Sequence, residues 1–421
     1  MKRVKLPIAL MVALLLVAAP YFVARAPAAT VGPVTDSIGV VKINKGQPIT
    51  IAYWFVIAGP DASLGIDTRR GIEIAIDDKK TVAGFSVKLI GEDSGCNAEG
   101  GVTAATKLAA NKAIVAAIGS NCSSEALPGA PILWKAGLVT VSPSNTAVSL
   151  TAPTRGPDYG GYLRTAHSDA VQGKVAAEFA FKVVKAKKVA TIHDGSPYAE
   201  QLANVFADVF SRLAGAGSVG AREAISPTDT DMRPVLTKIA ATKPDLIFYP
   251  VFTAAGGFIT RQAKEVAGLQ KVKLMSADGT FSPDFYKAGG DAVVGMYHTS
   301  PDLAALAVRA GGTYKAFLQK HQKKYGEKPL SAFHAHAYDA AMMIFTAIEK
   351  VGKKDAQGNL YIGRNALRDA LFATKNFKGM TGNLTCSEFG DCADPVIAVY
   401  ISNSSDPAKW NPGVEPKKIY P

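Results

Sequence analysis

The stretch IVAAIGSNCSSEALPGAPILWKAGLVTVSPSNT, residues 114–146, decides the fold. IVAAIG is a short apolar run with β-branched residues that ends at a polar turn, and LVTVS is a second such run that breaks at Pro143. Between them, EALPGAPILWKAG is typical of a helix, with Ser123 at its N-cap position. The stretch therefore predicts strand, turn, helix, strand and turn.

Hydroxyl groups occupy both of these turns. Ser123 and Ser124 follow the first strand, and Ser144 and Thr146 follow the second. The carboxyl ends of neighbouring parallel strands meet at one edge of a sheet, which is where open α/β sheets bind ligands. Hydroxyls together with free N–H groups at a helix start favour a carboxylate or a similar anion. The alternative is that Ser123 only caps its helix.

Alternating strand and helix patterns continue along most of the chain. They begin at ITIAYWFVIAG (residues 49–59) and start a second series after Arg164. In that series Leu202, Phe206 and Phe210 lie on one face of a predicted helix. Such alternation predicts an α/β architecture with parallel sheets. A chain of this length exceeds one comfortable core, so we expect two lobes.

The N-terminus has the pattern of a secretory signal peptide. Lys2, Arg3 and Lys5 precede an apolar segment, and small residues follow it. We expect residues 1–28 to be removed, with the mature chain starting near Ala29. Removal of these residues, which include Arg25, lowers the formal charge from +12 to +8. The remaining lysines lack interleaved aromatic residues, so we expect no nucleic-acid partner.

The four cysteines are expected to form disulfides, because the chain is exported and has no CxxC spacing for zinc. Cys96 and Cys122 each follow a candidate strand, and a bridge between them would brace the hydroxyl-rich turn. Cys386 and Cys392 bracket the short turn SEFGD and would form a second, local bridge.

Three motifs suggest other chemistry and are set aside. Gly215-x-Gly217-x-x-Gly220 follows a helix and precedes a strand, the reverse of the order in a dinucleotide site. His334 and His336 are two residues apart, which on a helix directs them to different sides and excludes a shared metal. His193 could suggest a catalytic triad with Ser123, but the sequence has no G-x-S-x-G elbow. We expect no metal, no cofactor and no enzymatic activity.

Several motifs together resemble one family. They are G-x-x-C-S-S at residues 119–124, V-S-P-S-N-T at 141–146, I-H-D-x-x-x-Y at 192–198, and the Asp278 turn in MSADGT. With the Cys96–Cys122 pairing, they make the chain similar to type I periplasmic solute-binding proteins of the branched-chain amino acid branch, which serve ABC transporters. The similarity runs from about Ile49 to Tyr400.

The resemblance implies two Rossmann-like lobes that close on a solute and are joined by three hinge crossings. We expect the crossings near Arg164–Thr165, Thr299–Ser300 and Gly382–Leu384. The N-terminal lobe would comprise residues 48–164 and 300–383, and the C-terminal lobe residues 165–299 and 384–421. The resemblance also implies a monomer that captures a small amino acid in the periplasm and delivers it to a membrane ABC permease.

The resemblance also implies roles for individual residues. Ser123, Ser144 and Thr146 would bind the α-carboxylate of the solute, and Asp278 its α-ammonium group, while Tyr198 would add a contact from the second lobe. The chain departs from the family pattern at some positions. Asp278 is one methylene shorter than the usual glutamate, Ser144 replaces a small apolar residue, Phe252 lacks the usual hydroxyl, and Leu64 stands where an aromatic residue is frequent.

These departures leave alternatives open. An amide or an aromatic acid could be the ligand, and the same fold could serve a sensor instead of a permease. An exported α/β hydrolase is the rival from another class. A carboxylate in the cleft without a protein cation would favour a zwitterionic ligand, unless Asp278 only caps the helix at SPDFYKAGG.

Overall fold

A computed structural model describes residues 29–421, so the predicted signal peptide at 1–28 lies outside the described residues. The strands are, in chain order, β1 Ala29–Val31, β2 Val34–Asp36, β3 Val40–Ile43, β4 Ile49–Phe55, β5 Val87–Asp93, β6 Ile114–Gly119, β7 Thr140–Ser142, β8 Tyr162–Arg164, β9 Val189–His193, β10 Val219–Ala224, β11 Leu246–Phe248, β12 Lys273–Ser276, β13 Tyr297–Pro301, β14 Lys353–Lys354, β15 Leu360–Gly363, β16 Phe377–Lys378, β17 Asn383–Leu384, β18 Ile397–Ile401 and β19 Lys417–Tyr420.

The α-helices alternate with these strands as the sequence patterns predict. They are α1 Ala62–Lys79, α2 Ala98–Ala110, α3 Ser123–Lys135, α4 Asp169–Lys182, α5 Pro197–Ala214, α6 Arg233–Ala241, α7 Thr253–Ala263, α8 Pro283–Gly289, α9 Leu303–Arg309, α10 Gly312–Tyr325, α11 His334–Val351 and α12 Arg364–Phe372. Among the helices of residues 29–421, none is long and apolar enough to cross a membrane.

Two sheets form the centres of the two lobes. The first has the strand order β5-β4-β6-β7-β8, and all its pairs are parallel. The second has the order β10-β9-β11-β12-β13-β18-β19 and is parallel from β10 to β13. The predicted α/β fold with parallel sheets is therefore confirmed, with antiparallel strands added at one edge of the second sheet.

The C-terminal tail is more regular than the sequence suggests. Residues Lys417–Tyr420 form β19, which pairs antiparallel with β18. A run of four residues that begins with two lysines has too little apolar character to be recognised as a strand from its pattern alone. Trp410 also anchors the tail, because its indole is buried and donates to the carbonyl of Pro329 across 3.0 Å.

Helix α3 packs closely on the first sheet and on α2. A Cβ added to Gly129 would lie 2.5 Å from the ring of Trp54, and one added to Gly101 would lie 2.6 Å from the Cα of Glu125. Both distances are too short for a side chain. The two glycines therefore allow α3 to pack closely on β4, which carries Trp54, and on α2.

The lobes meet where three passages of the chain lie together around one small cavity. It is lined by Thr165 and His167, by Pro301 and Asp302, and by residues 393–396. Strand β13 remains in the second sheet as far as Pro301. Leu384, Cys386 and Cys392 are buried in the core of the first lobe. We therefore propose that the second and third crossings lie after Pro301 and after Cys392, later than the Thr299–Ser300 and Gly382–Leu384 positions expected from sequence.

Candidate ligand-binding site

The turn after β6 differs by one residue from the expectation. Cys122, and not Ser123, is the N-cap of α3. The carboxyl group of Glu125 accepts hydrogen bonds from the backbone N–H groups of Cys122, Asn121 and Cys96 at 2.9, 3.1 and 2.7 Å. Ser123 is thereby released from capping, and its hydroxyl oxygen accepts from Ala147 N at 3.2 Å. The hydroxyl proton of Ser123 remains available to a ligand.

Glu125 is a buried acid that forms no salt bridge within residues 29–421. Burial raises the pKa of Glu125 to about 7, and the backbone donors act in the opposite direction. Its place in the fold therefore depends on those N–H groups. They belong to the two segments that carry Cys96 and Cys122.

Both predicted disulfides are present, Cys96–Cys122 and Cys386–Cys392. The first joins the end of β5 to the end of β6, and Ser124 Oγ adds a hydrogen bond to the Cys96 carbonyl at 3.0 Å. Cys122 directly precedes Ser123 in the chain, so this bridge holds the turn that presents the Ser123 hydroxyl. The second closes a local turn beside Arg164, whose N–H donates to Gly390 O at 2.8 Å.

We expect the double substitution Cys96→Ser and Cys122→Ser to lower the free energy of unfolding by about 3 kcal/mol, from the loop entropy of a separation of 26 residues. Ligand affinity should fall as well, because the turn carrying Ser123 loosens. The matched control is Cys386→Ser with Cys392→Ser, which should leave affinity unchanged. Denaturant unfolding and calorimetry measure the two quantities, and equal affinities for both variants would contradict the prediction.

A small cavity lies between the lobes. The first lobe contributes Leu64, Asn121, Cys122, Ser123, Ser144 and Thr146, and the second contributes Tyr198, Phe252, Asp278 and Gly279. The structure thus brings every ligand-binding residue that the sequence predicts to one place.

Hydroxyl groups and an amide line the first-lobe wall of this cavity. Asn121 Nδ2 donates to Ser144 Oγ at 3.1 Å, and Ser144 Oγ donates to the carbonyl of Asn121 at 3.1 Å. Thr146 is buried, and its hydroxyl has no hydrogen-bond partner within the described residues. An unpaired buried hydroxyl is costly, so this wall is suited to bind an acceptor group.

The second-lobe wall carries a negative charge. Asp278 lies in a single 3₁₀ turn, Asp278–Thr280, directly after β12, and its side chain is nearly buried. Ser282 is the N-cap of α8 and accepts from Phe285 N at 3.3 Å, so Asp278 is not needed as the cap. Burial raises the pKa of Asp278 to about 6, while a hydrogen bond from Gln172 acts in the opposite direction.

Aromatic and aliphatic groups complete the cavity. The ring of Tyr198 lies 5.2 Å from that of Phe252, measured between centroids, and its hydroxyl oxygen accepts from Gly279 N at 3.1 Å. Leu64 faces them from the first lobe. These side chains offer mainly carbon surface to a ligand.

Asp169 is a residue that the sequence analysis missed. It begins α4 and is fully buried, and within residues 29–421 neither carboxyl oxygen has a hydrogen-bond partner. Its backbone N–H donates to Thr146 O at 2.9 Å, which places it beside the cavity. Burial, followed by the charge of Asp278, raises its pKa. An acid in the first turn of a helix is common, so its sequence carried no special signal.

The motifs that were set aside have other surroundings. His334 pairs with Asp67 through Nδ1 at 3.1 Å, and His193 Nδ1 accepts from Gly195 N at 3.2 Å. Gly215 ends α5 ahead of β10, as expected for a loop. In the part of the chain described, no group of three or more His, Cys, Asp or Glu residues is placed to hold a metal ion.

Direct contacts across the cleft hold the lobes together. Asp61 Oδ1 accepts from Thr253 N at 3.0 Å, and Ser63 Oγ donates to Asp284. Gln201 both accepts from Ser149 N and donates to Ser149 Oγ, each at 2.9 Å. The lobes are therefore closed around the cavity.

Comparison with known proteins agrees with this architecture. The family model described as periplasmic binding protein matches residues 48–399. The chain is 29% identical to the Leu/Ile/Val-binding protein BraC3 of Rhizobium johnstonii, over 87% of this chain and 92% of that protein. It is 29% identical to a leucine-, isoleucine-, valine-, threonine- and alanine-binding protein of Pseudomonas aeruginosa, over 84% and 89% of the two chains.

A solved structure shows the same fold. The leucine-binding protein LivK of Thermotoga maritima superposes with a TM-score of 0.74 at 26% identity, covering 85% of this chain and 96% of that one. The family model covers most of the sequence, including the first sheet, the parallel part of the second sheet and the cavity between the lobes. The chain therefore belongs to the periplasmic binding protein family.

Proposed function

We propose that this protein is an extracytoplasmic receptor that captures a zwitterionic α-amino acid between its lobes and delivers it to a membrane ABC permease. The observation that carries the proposal is the pairing of opposite chemistries across one closed cavity. Hydroxyl groups with a free donor capacity line one wall, and the carboxyl groups of Asp278 and Asp169 lie on or beside the other.

The charge balance supports a ligand that carries both charges. A buried carboxylate is stable only with a cation or several donors. Around Asp169, only the charge of Arg164 and the nearby hydroxyl of Thr146 act to lower its pKa, and neither carboxyl oxygen has a hydrogen-bond partner within residues 29–421. An ammonium group placed between Asp278 and Asp169 would supply the missing donors. The α-carboxylate of the same ligand would then accept from the hydroxyls of Ser123 and Thr146, so that each end would satisfy one wall.

The side chain of the ligand would meet Leu64, Phe252 and Tyr198. Their carbon surface favours an aliphatic side chain, because burying a polar group there would leave it unpaired. The relatives named above are Leu/Ile/Val-binding proteins, which supports a branched-chain amino acid. Phe252 offers no hydroxyl and Leu64 is not aromatic, so we expect the preference among these amino acids to differ from that of the relatives.

The other candidate functions fit these contacts less well. A neutral amide or an aromatic acid would leave Asp278 and Asp169 without a cation. A hydrolase would need a base beside Ser123. The Ser123 hydroxyl instead accepts a hydrogen bond from Ala147 N, and the His193 ring accepts one from Gly195 N. We propose that the protein acts as a periplasmic monomer, with residues 1–28 as the export signal. Closure on the ligand would be the state recognised by the permease.

A thermal-shift screen with matched ligands tests this function. L-leucine, L-isoleucine and L-valine should stabilise the protein, and a ligand at a hundredfold excess over its Kd adds about 2.7 kcal/mol. The controls are 4-methylpentanoate, which is leucine without its amino group, and leucinamide, which lacks the carboxylate. Neither should stabilise comparably. Stabilisation by 4-methylpentanoate or benzoate equal to that by leucine would contradict the zwitterion assignment.

A further inference from the structure

Gln172 connects Asp278 to the region where the lobes join. It lies on α4 and is fully buried. Its Nε2 donates to Asp278 Oδ1, and it also lies 3.2 Å from both the carbonyl and the hydroxyl oxygen of Thr299. An amide nitrogen has two protons, so one can serve Asp278 and the other Thr299 on β13.

His167 fixes the orientation of this amide. Its Nε2 lies 2.7 Å from Gln172 Oε1. An amide oxygen can only accept, so the imidazole donates from Nε2 and Gln172 must direct its NH₂ toward Asp278. The His167 ring is buried and stacks on Phe333 with centroids 6.1 Å apart. Burial lowers the pKa of His167 to about 4, which keeps the imidazole neutral near pH 7.

We propose that Gln172, oriented by His167, is a positioning residue that fixes the Asp278 carboxylate for the cationic group of the ligand. This proposal rests on the proposed function, because it assumes that Asp278 meets a cation. Gln172, Asp278 and Thr299 all belong to the second lobe, so the chain of hydrogen bonds exists before the lobes close. Asp278 is then preorganised for the ligand, because its Oδ1 is held by Gln172.

The chain also links the ligand site to two of the hinge passages. His167 lies just after the first crossing, and Thr299 lies on the strand that leads to the second. Both His167 and the end of β13 line the small cavity around which the three chain passages between the lobes lie together. A ligand cation that orders Asp278 would therefore also order the residues about which the lobes rotate.

Few titratable groups face Asp278. They are Asp169 on α4 and Tyr198 on α5, and both are buried. The donor to Asp278 Oδ1 is the neutral amide of Gln172. Removal of that donor should raise the pKa of Asp278, since the Gln172 hydrogen bond lowers it. The carboxylate that attracts the ligand would then be lost at a higher pH.

The test uses Gln172→Met, which keeps the length of the side chain but removes both polar atoms. Affinity for L-leucine at pH 7 should fall about ten- to a hundredfold, the range for one hydrogen bond to a charged group. The acid limb of the affinity profile should move to higher pH. His167→Phe retains the stacked ring and should shift the profile in the same direction, with a smaller loss. Calorimetry between about pH 5 and pH 7 measures both, below the range in which an α-amino group titrates.

The control is Gln262→Met, because Gln262 is another well-buried glutamine of the second lobe. It accepts from Met232 N at 2.6 Å and donates to Thr230 O at 2.7 Å, away from the cavity. It should lower thermal stability while leaving the affinity and its pH profile within about twofold of wild type, as expected for a distant site. An unchanged pH profile in Gln172→Met would overturn the proposal, even if its affinity fell.

A second measurement separates this proposal from the proposed function. The titration of Asp278 can be followed by carbon-13 NMR in the ligand-free protein, and its pKa should be higher in Gln172→Met than in wild type. If wild type binds no amino acid and the titration still moves, the proposed ligand class is wrong but the positioning role stands. If the titration does not move, Gln172 does not act on Asp278.

Discussion

Replacing Asp278 with asparagine should weaken binding of a zwitterionic amino acid by about 2–5 kcal/mol, the range for removing one partner of a buried, hydrogen-bonded charge pair. Asparagine keeps the volume of the side chain and removes its charge, so the loss should come from the ligand ammonium group. Calorimetry on both proteins measures the difference. The variant should still fold, because the neutral side chain no longer carries the cost of burying a charge.

The pH dependence provides a second check on the same residue. Burial raises the pKa of Asp278 to about 6, so the carboxyl group of the free protein becomes protonated as the pH falls through that value. The ammonium group then loses its partner. Wild-type affinity should therefore decline below about pH 6, and the affinity of Asp278→Asn should be flat over this range.

Asp36→Asn is the matched control, because Asp36 is a buried aspartate of the first lobe far from the cavity. Its oxygens accept from Asn365 N and Ala366 N at 3.1 and 3.0 Å, at the start of α12. It should affect stability and leave affinity unchanged. Wild-type affinity in Asp278→Asn, or tight binding of a ligand without a positive charge, would remove the amino-acid assignment and leave only the fold and the anion-binding wall.

Sequence patterns could locate the residues that lie at strand ends. Ser123, Ser144, Thr146 and Asp278 all follow parallel strands, and the geometry of a parallel sheet brings such residues to one edge. A position directly after a parallel strand is therefore nearly enough to predict that these residues lie at the ligand-binding edge of a sheet. The family resemblance added Tyr198, Phe252 and Leu64, which lie on or beside helices and have no comparable local signal.

Residues that reach the site through tertiary packing could not be predicted in this way. Asp169 and Gln172 lie on α4, where an acid in the first turn and a glutamine one turn later are ordinary helix residues. Their importance depends on how α4 is set against β13 and the turn after β12. The proposed later position of the third crossing rests on similar packing, because Leu384 and Cys392 lie in the first-lobe core through contacts distant in sequence.

One missed residue did have a signal. Glu125 lies three residues after the N-cap, which is the spacing of a capping box, but the cap is Cys122 and not the usual serine or threonine. The hydroxyl of Ser123 therefore predicted the N-cap one residue after its actual position at Cys122. A glutamate at this spacing that is also buried indicates a structural acceptor for the backbone of the preceding turn.

Glu125→Ala should lower the free energy of unfolding by at least about 3 kcal/mol. The substitution leaves the N–H groups of Cys96, Asn121 and Cys122 without their acceptor, and each buried unpaired group costs about 1–3 kcal/mol. These groups belong to both sides of the Cys96–Cys122 bridge, so the disulfide should limit the separation of the two segments. The loss should therefore be larger when the bridge is also removed than the sum of the separate effects predicts.

The control for this substitution is Glu99→Ala, because Glu99 occupies the first turn of the neighbouring helix α2 and is exposed. It should change stability by less than about 0.5 kcal/mol, as surface substitutions usually do. Urea unfolding of both variants, with and without the bridge, measures the comparison. Ligand affinity should also fall in Glu125→Ala, because Asn121 and Ser123 line the cavity and both are held by this turn. A stable Glu125→Ala protein with wild-type affinity would show that the turn holds its shape through the disulfide and the packing of α3 alone.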